Sequence, residues 1–116
     1  MTPFGARLRA LRKARNVTLA ALAAKLDVST AYLSALEHGR RGRPGPGLVL
    51  EICGHLGLIW DEAEDLKRLA QISQPKVTLD TAGLTPAATE LANLLRKRIA
   101  YLSDDEIEEM LKIAKE

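Results

Sequence analysis

Two groups of side chains in this sequence have the types and spacing to recognise a ligand. The first is Thr30, Ala31, Ser34 and Ala35, flanked by Tyr32 and His38. On a helix over residues 30–38, Leu33 and Leu36 repeat at i, i+3 and turn inward, so these other positions face outward. An ordinary solvated helix carries Lys and Glu on such a face. This one is small and nearly uncharged, which suits close approach to a large surface such as the DNA major groove. The hydroxyls of Thr30 and Ser34 can exchange hydrogen bonds with base edges, and Ala31 and Ala35 can touch thymine methyl groups. Arg, Asn and Gln, the bidentate readers of guanine and adenine, are missing from the face, so DNA shape and bridging water must carry much of any discrimination. The second group is Arg40, Arg41 and Arg43 in the loop RRGRPGPG, whose density of positive charge suits phosphate contact or insertion into a minor groove. A solvated linker is the alternative for that loop.

Other chemistries find no support. No nucleophile stands beside a base, no glycine-rich phosphate loop follows a strand, and Asp104-Asp105-Glu106 reads as a helix start rather than a catalytic pair. His38 and His55 are far apart and no Cys/His/Asp cluster has metal-ligand spacing, so neither metal nor cofactor is expected. No small-molecule pocket can be identified. Cys53, the single cysteine, lies among aliphatic residues as a small buried hydrophobe.

The elements that must position the outward face are two short helices. Leu22 and Leu26 repeat at i, i+4 ahead of the turn Asp27-Val28-Ser29, after which Leu33 and Leu36 form the second stripe. Thr18 and Ser29 are the expected N-caps, neither with the Glu or Gln of a capping box. They are also assigned to the phosphate contacts together with Arg40, Arg41 and Arg43. Ala23 lies where only a small side chain lets the helices cross closely, and Val28 can plug the corner between them. These are the steric requirements of a helix-turn-helix.

The run from Leu8, Arg9, Leu11, Arg12 and Arg15 through Thr18, Leu19, Leu22, Ala23, Leu26, Val28, Ser29, Tyr32, Leu33, Ser34, Leu36, Glu37 and Gly39 to Arg40-Arg41 resembles the Cro/C1-type (XRE) helix-turn-helix family of prokaryotic and phage DNA-binding regulators. The resemblance covers roughly residues 4–70. It implies an ion pair between Arg12 and Glu37, tying the first helix to the end of the recognition helix. Asp27 stands where the family usually has glycine in a positive-φ conformation, one that Asp also tolerates.

At 116 residues with 47% hydrophobic and 3% aromatic content, the chain can bury one modest core built of Leu and Ala. The net charge of +2 is divided unevenly: residues 1–45 carry nine Lys/Arg against two Asp/Glu, and residues 46–116 carry eight against thirteen. A polyanion-facing half and a half with another task follow from that asymmetry. No apolar run approaches a membrane span and the start lacks a signal segment, so no membrane partner and a cytoplasmic, nucleoid-associated location are expected.

In chain order, residues 4–15 predict a first helix with Phe4, Leu8 and Leu11 inward. Residues 48–58 predict a fourth, with Leu48, Ile52, Cys53 and Leu56 inward. Trp60 reads as a core anchor beside an N-cap at Asp61, with a fifth helix over residues 61–72 whose acidic start complements its dipole. Lys76-Val77-Thr78-Leu79-Asp80 alternates like a short strand. Thr85-Pro86 starts a helix reaching about residue 102, and Ser103-Asp104-Asp105-Glu106 is a capping box for a last one.

The expectation is an all-α protein: a five-helix helix-turn-helix domain over residues 1–73, then a dimerisation appendage over residues 74–116 made of a short strand and a helical hairpin. Its function is that of a sequence-specific DNA-binding transcriptional regulator acting on double-stranded DNA as a homodimer, with Val77, Leu79, Leu91, Leu95 and Ile99 at the dimer interface. The alternative is a protein-interaction module, such as an antitoxin or anti-activator, whose C-terminal hairpin grips a second protein.

Overall fold

The computed structural model describes all 116 residues, which form seven α-helices and no β-strand. Pro3–Ala14 is α1, opened by the Thr2 hydroxyl accepting from the Gly5 amide at 3.0 Å. Leu19–Leu26 is α2 and Thr30–Glu37 is α3. Pro46–Leu56, α4, starts on a proline, whose missing N–H costs nothing at that position, and stops at Gly57 with φ 68°. Asp61–Gln71 is α5. Pro86–Arg98, α6, runs into a 3-10 turn over Ile99–Tyr101, and Asp104–Lys115 is α7.

The polypeptide divides into two compact units, Met1–Val77 and Thr78–Glu116. All of the core belongs to the first. Phe4, Leu8, Leu22, Leu33, Ile52 and Leu66 are completely shielded from water, each stabilising the unit by about 1.5–3 kcal/mol relative to exposure. In this unit α1 packs on α3 and α5, α2 on α3 and α4, and α4 on α5. Burial pushes the Cys53 thiol above its ordinary range, which keeps it neutral.

Two contacts fix α1 in place. Gly5 faces the end of α3 so closely that a Cβ there would overlap the Glu37 carbonyl. Close by, the Phe4 amide, one of the donors a helix start leaves without an intrahelical partner, donates to the buried Ser73 Oγ at 2.9 Å; Ser73 in turn donates to the Leu69 carbonyl at 2.6 Å.

Two expectations are corrected. Trp60 is not a core anchor: it is 82% exposed with φ 53°, it occupies the N-cap position itself without any side-chain cap, and Asp61 lies inside the first turn of α5. Leu58 takes the core position instead, because the left-handed turn at Gly57 and the bond from the Leu58 amide to the Cys53 carbonyl at 2.9 Å fold it inward. Residues 76–80 do not form a strand. Within one chain they meet no second strand to complete a ladder, so Val77 and Leu79 stay exposed, and Asp80 Oδ1 instead accepts from the Ala82 amide at 2.9 Å to build a turn.

The second unit has well-made helix starts and no buried residue at all. Thr85 Oγ1 accepts from the Ala88 amide at 3.2 Å. Ser103 and Glu106 form the reciprocal capping box, with bonds of 2.9 and 3.2 Å. The bond from the Ser103 amide, helped by the Ser103 hydroxyl, holds the Glu106 carboxyl below its ordinary range.

The crossing at Gly5 generates a prediction. Replacing Gly5 by alanine should force α1 away from α3 and destabilise the protein by about 3 kcal/mol, the upper end of ordinary overpacking costs. Urea unfolding followed by circular dichroism measures it, and a change within about 0.5 kcal/mol, as at a free surface, would exclude the close crossing.

Candidate nucleic-acid interface

The geometry of α2 and α3 follows from the turn that joins them. Asp27 adopts φ 56°, ψ 44°, the left-handed conformation expected of it, and its amide donates to the Ala24 carbonyl at 3.2 Å while that of Val28 donates to Ala23 at 3.1 Å. Ser29 then restarts the helix by accepting from the Tyr32 amide at 3.0 Å, just as Thr18 accepts from Ala21 at 3.0 Å to start α2. The chain bends by 113° between the two helices. Ala23 is buried at their crossing and Val28 packs against the core from the corner.

This arrangement holds α3 with Leu33 and Leu36 in the core and leaves Thr30, Ala31 and His38 exposed; Tyr32, Ser34 and Ala35 are half-buried beside them. The imidazole of His38 folds back, with Nδ1 2.8 Å from the Ser34 carbonyl. A carbonyl only accepts, so Nδ1 is the donor in this bond. Ser34 Oγ lies 3.5 Å from the same Nδ1, close to the limit of a hydrogen bond.

Beneath the face lies the Arg12–Glu37 pair. Arg12 Nε donates to Glu37 Oε2 at 3.0 Å and Nη2 to Oε1 at 3.2 Å, while Nη1 donates to the Val17 carbonyl at 3.0 Å. Glu37 is 2% exposed and the Arg12 side chain 11%. A planar guanidinium matched to a carboxylate in this bidentate way is the strongest form of the interaction. It ties α1, the start of α2 and the end of α3 into one body.

The arginine loop has internal order. The Arg41 guanidinium carbon stands 5.7 Å from the centroid of the Tyr32 ring, a cation–π contact joining the loop to the recognition face. Arg43 is turned the other way: its amide donates to Gln74 Oε1 at 3.2 Å and its Nη1 to the Gln71 carbonyl at 3.3 Å. Arg40, Arg41 and Gly42 share a shallow cleft of about 250 Å³ with Gln74, Pro75 and Lys76. Lys76 is therefore a cation of this surface that sequence reading missed, because only the fold brings residues 74–76 beside residues 39–42. A larger open groove of about 970 Å³, walled by Pro44, Pro46, Val49, Leu50 and Ile72 with Arg43 at its edge, is likewise invisible in the sequence. No single helix is long and apolar enough to cross a membrane.

Residues 3–66 match the family model described as a helix-turn-helix domain. The chain belongs to the Cro/C1-type helix-turn-helix family of DNA-binding regulators. Among curated proteins it is similar to the uncharacterized HTH-type transcriptional regulator RghRB of Bacillus subtilis (strain 168), with 27% identity across 97% of this chain and 88% of that one. It is 38% identical to the HTH-type transcriptional repressor RghR of the same organism over 53% of this chain and 45% of the repressor. It is also 50% identical to the HTH-type transcriptional regulator PrpR of Mycobacterium tuberculosis (strain ATCC 25618 / H37Rv), over 40% of this chain and only 10% of that protein. The chain thus spans less than half the length of the last two. No solved structure matches it significantly.

The ion pair sets the stability of the recognition helix. Glu37→Ala should cost about 3 kcal/mol, since it leaves the Arg12 charge enclosed without its partner. A double-mutant cycle with Arg12→Ala, read by urea unfolding, should give a coupling energy well above about 0.5 kcal/mol; additivity of the two changes would deny the pair this role.

Proposed function

We propose that the chain is a sequence-specific DNA-binding transcriptional regulator that works as a homodimer, with α3 lying in the major groove. The observation that carries this reading is the exposed, uncharged face of Thr30 and Ala31, held rigidly by the core and bordered by Arg40 and Arg41. Thr30, Ala31, Ser34 and Ala35 face the bases, and Tyr32 and His38 flank them. Thr18 and Ser29, at the starts of α2 and α3, contact phosphates with Arg40 and Arg41. Lys76 joins this group, whereas Arg43 has to leave Gln71 before it can do so.

Two copies are needed because one helix with so few strong base readers covers too little sequence to be selective. Half-sites one helical turn apart, roughly 34 Å, place two such helices on the same side of the duplex. The dimer contact belongs to the second unit. Leu91 and Ile99 are exposed there and Leu95 is half-buried, while Val77 and Leu79 lie exposed on the connecting segment. A unit of this size without a buried residue gains too little from its own packing to hold its shape, and a second copy supplies the missing contact.

Replacing Arg40, Arg41 and Arg43 by alanine should weaken binding to every duplex and flatten the slope of log K against log salt by roughly 0.9 for each phosphate that is no longer neutralised. Ser34→Arg should instead change which sequences bind, leaving the slope equal or steeper. Fluorescence anisotropy across a salt series separates the two effects, and an unchanged slope in the triple variant removes this loop from the phosphate-binding surface. A chain ending at Val77 should remain folded, sediment as a monomer and lose most operator affinity. Full-length protein that sediments as a monomer at micromolar concentration speaks for the protein-interaction reading instead.

A further inference from the structure

The second unit has a charge pattern that specifies how two copies meet. Helix α6 carries Glu90 near its start and Arg96-Lys97-Arg98 at its end. Helix α7 has the same polarity, with Asp104, Asp105, Glu106, Glu108 and Glu109 in its first half and Lys112 and Lys115 in its second. Laid antiparallel, an α6 and an α7 bring the basic end of one to the acidic start of the other, and Glu90 toward Lys112 and Lys115. Laid parallel, they oppose like charges at both ends, a mismatch that interfaces avoid.

Within one chain this complementarity is used only weakly, the Arg98 charge being the smallest of the influences on the Glu106 carboxyl. No ion pair forms between residues 78 and 116, the four in the molecule all belonging to the first unit. Helices α6 and α7 make few close approaches to one another. Their apolar stripes remain partly exposed: Leu91 and Leu94 on α6, Ile107, Met110 and Leu111 on α7. The 3-10 turn at Ile99–Tyr101 and the extended Leu102 connect the two helices.

We propose that in the homodimer each α6 packs antiparallel on α7 of its partner, so that the two chains exchange their last helices. This rests on the dimer reading above and adds the pairing. Leu91, Leu94 and Leu95 then meet the partner's Ile107, Met110 and Leu111, with Arg96, Lys97 and Arg98 bordering the partner's acidic turns. An exchange of this kind makes the contact specific to a second copy of this chain, because both halves of the charge code come from one sequence.

Charge-reversed chains test it, with the sedimentation of full-length protein measured first. The variant Arg96→Glu/Lys97→Glu/Arg98→Glu and the variant Asp105→Lys/Glu108→Lys/Glu109→Lys should each homodimerise about tenfold more weakly or worse. Mixed in equal amounts, they should form a heterodimer close to the original affinity, since α6 of each then faces the matching α7 of the other. A chain carrying both sets of changes should homodimerise again, which shows that the changes leave the fold intact. Dimers that persist in both single-set variants, or a mixture that restores nothing while the doubly reversed chain recovers, would overturn the exchange and leave the dimer standing. An unaltered chain that is monomeric overturns both.

Discussion

The enclosed pair of Arg12 and Glu37 is the constraint on which the outward face of α3 depends. A recognition helix of eight residues is too short to be stable alone and gains its shape from what lies behind it. Here that backing is a guanidinium fork that reaches from α1 to the last residue of α3 and the carbonyl of Val17. Taking two charges out of water is costly, and the cost is recovered only when the geometry leaves no donor idle. Arg12 approaches that condition, with each of its three nitrogens donating once and three of its five N–H groups engaged. Gly5 completes the arrangement, since a side chain there would overlap the Glu37 carbonyl and press α1 away from the end of α3.

The first unit is closed and the second is open, and the contrast follows from composition. Between Phe4 and Ala70 the leucines, alanines and one phenylalanine converge from five helices on one centre. Residues 78–116 also carry apolar stripes but have only two full helices, which cannot enclose anything between them. The same kind of hydrophobic pattern thus has opposite outcomes, a sealed core in one unit and a surface awaiting contact in the other.

Most of the helix-turn-helix is legible in the residues because its signals are local. The caps at Thr18 and Ser29, the left-handed Asp27, the capping box at Ser103 and the inward stripes of α2 and α3 depend on neighbours within four positions. Trp60 misleads for the opposite reason. A large aromatic beside a helix start suggests burial, but whether it is buried depends on the direction of the chain after Gly57, and that direction admits Leu58 instead. Residues 76–80 alternate as a strand does, yet alternation stabilises nothing without a ladder partner. The fork of Arg12 is accessible through family resemblance alone, and the position of Lys76 beside the arginine loop through neither route, since both join residues at least 25 positions apart.

The bond from the Phe4 amide to Ser73 joins the point where the chain enters the first unit to the point where it leaves. With entrance and exit latched together, the five-helix body is topologically a closed bead on a thread. Whatever precedes residue 3 or follows residue 77 attaches at one spot on its surface, so extensions at either end can be exchanged without rethreading the core. Such a body is portable: it can be carried by chains of very different length while the helix-turn-helix stays unchanged.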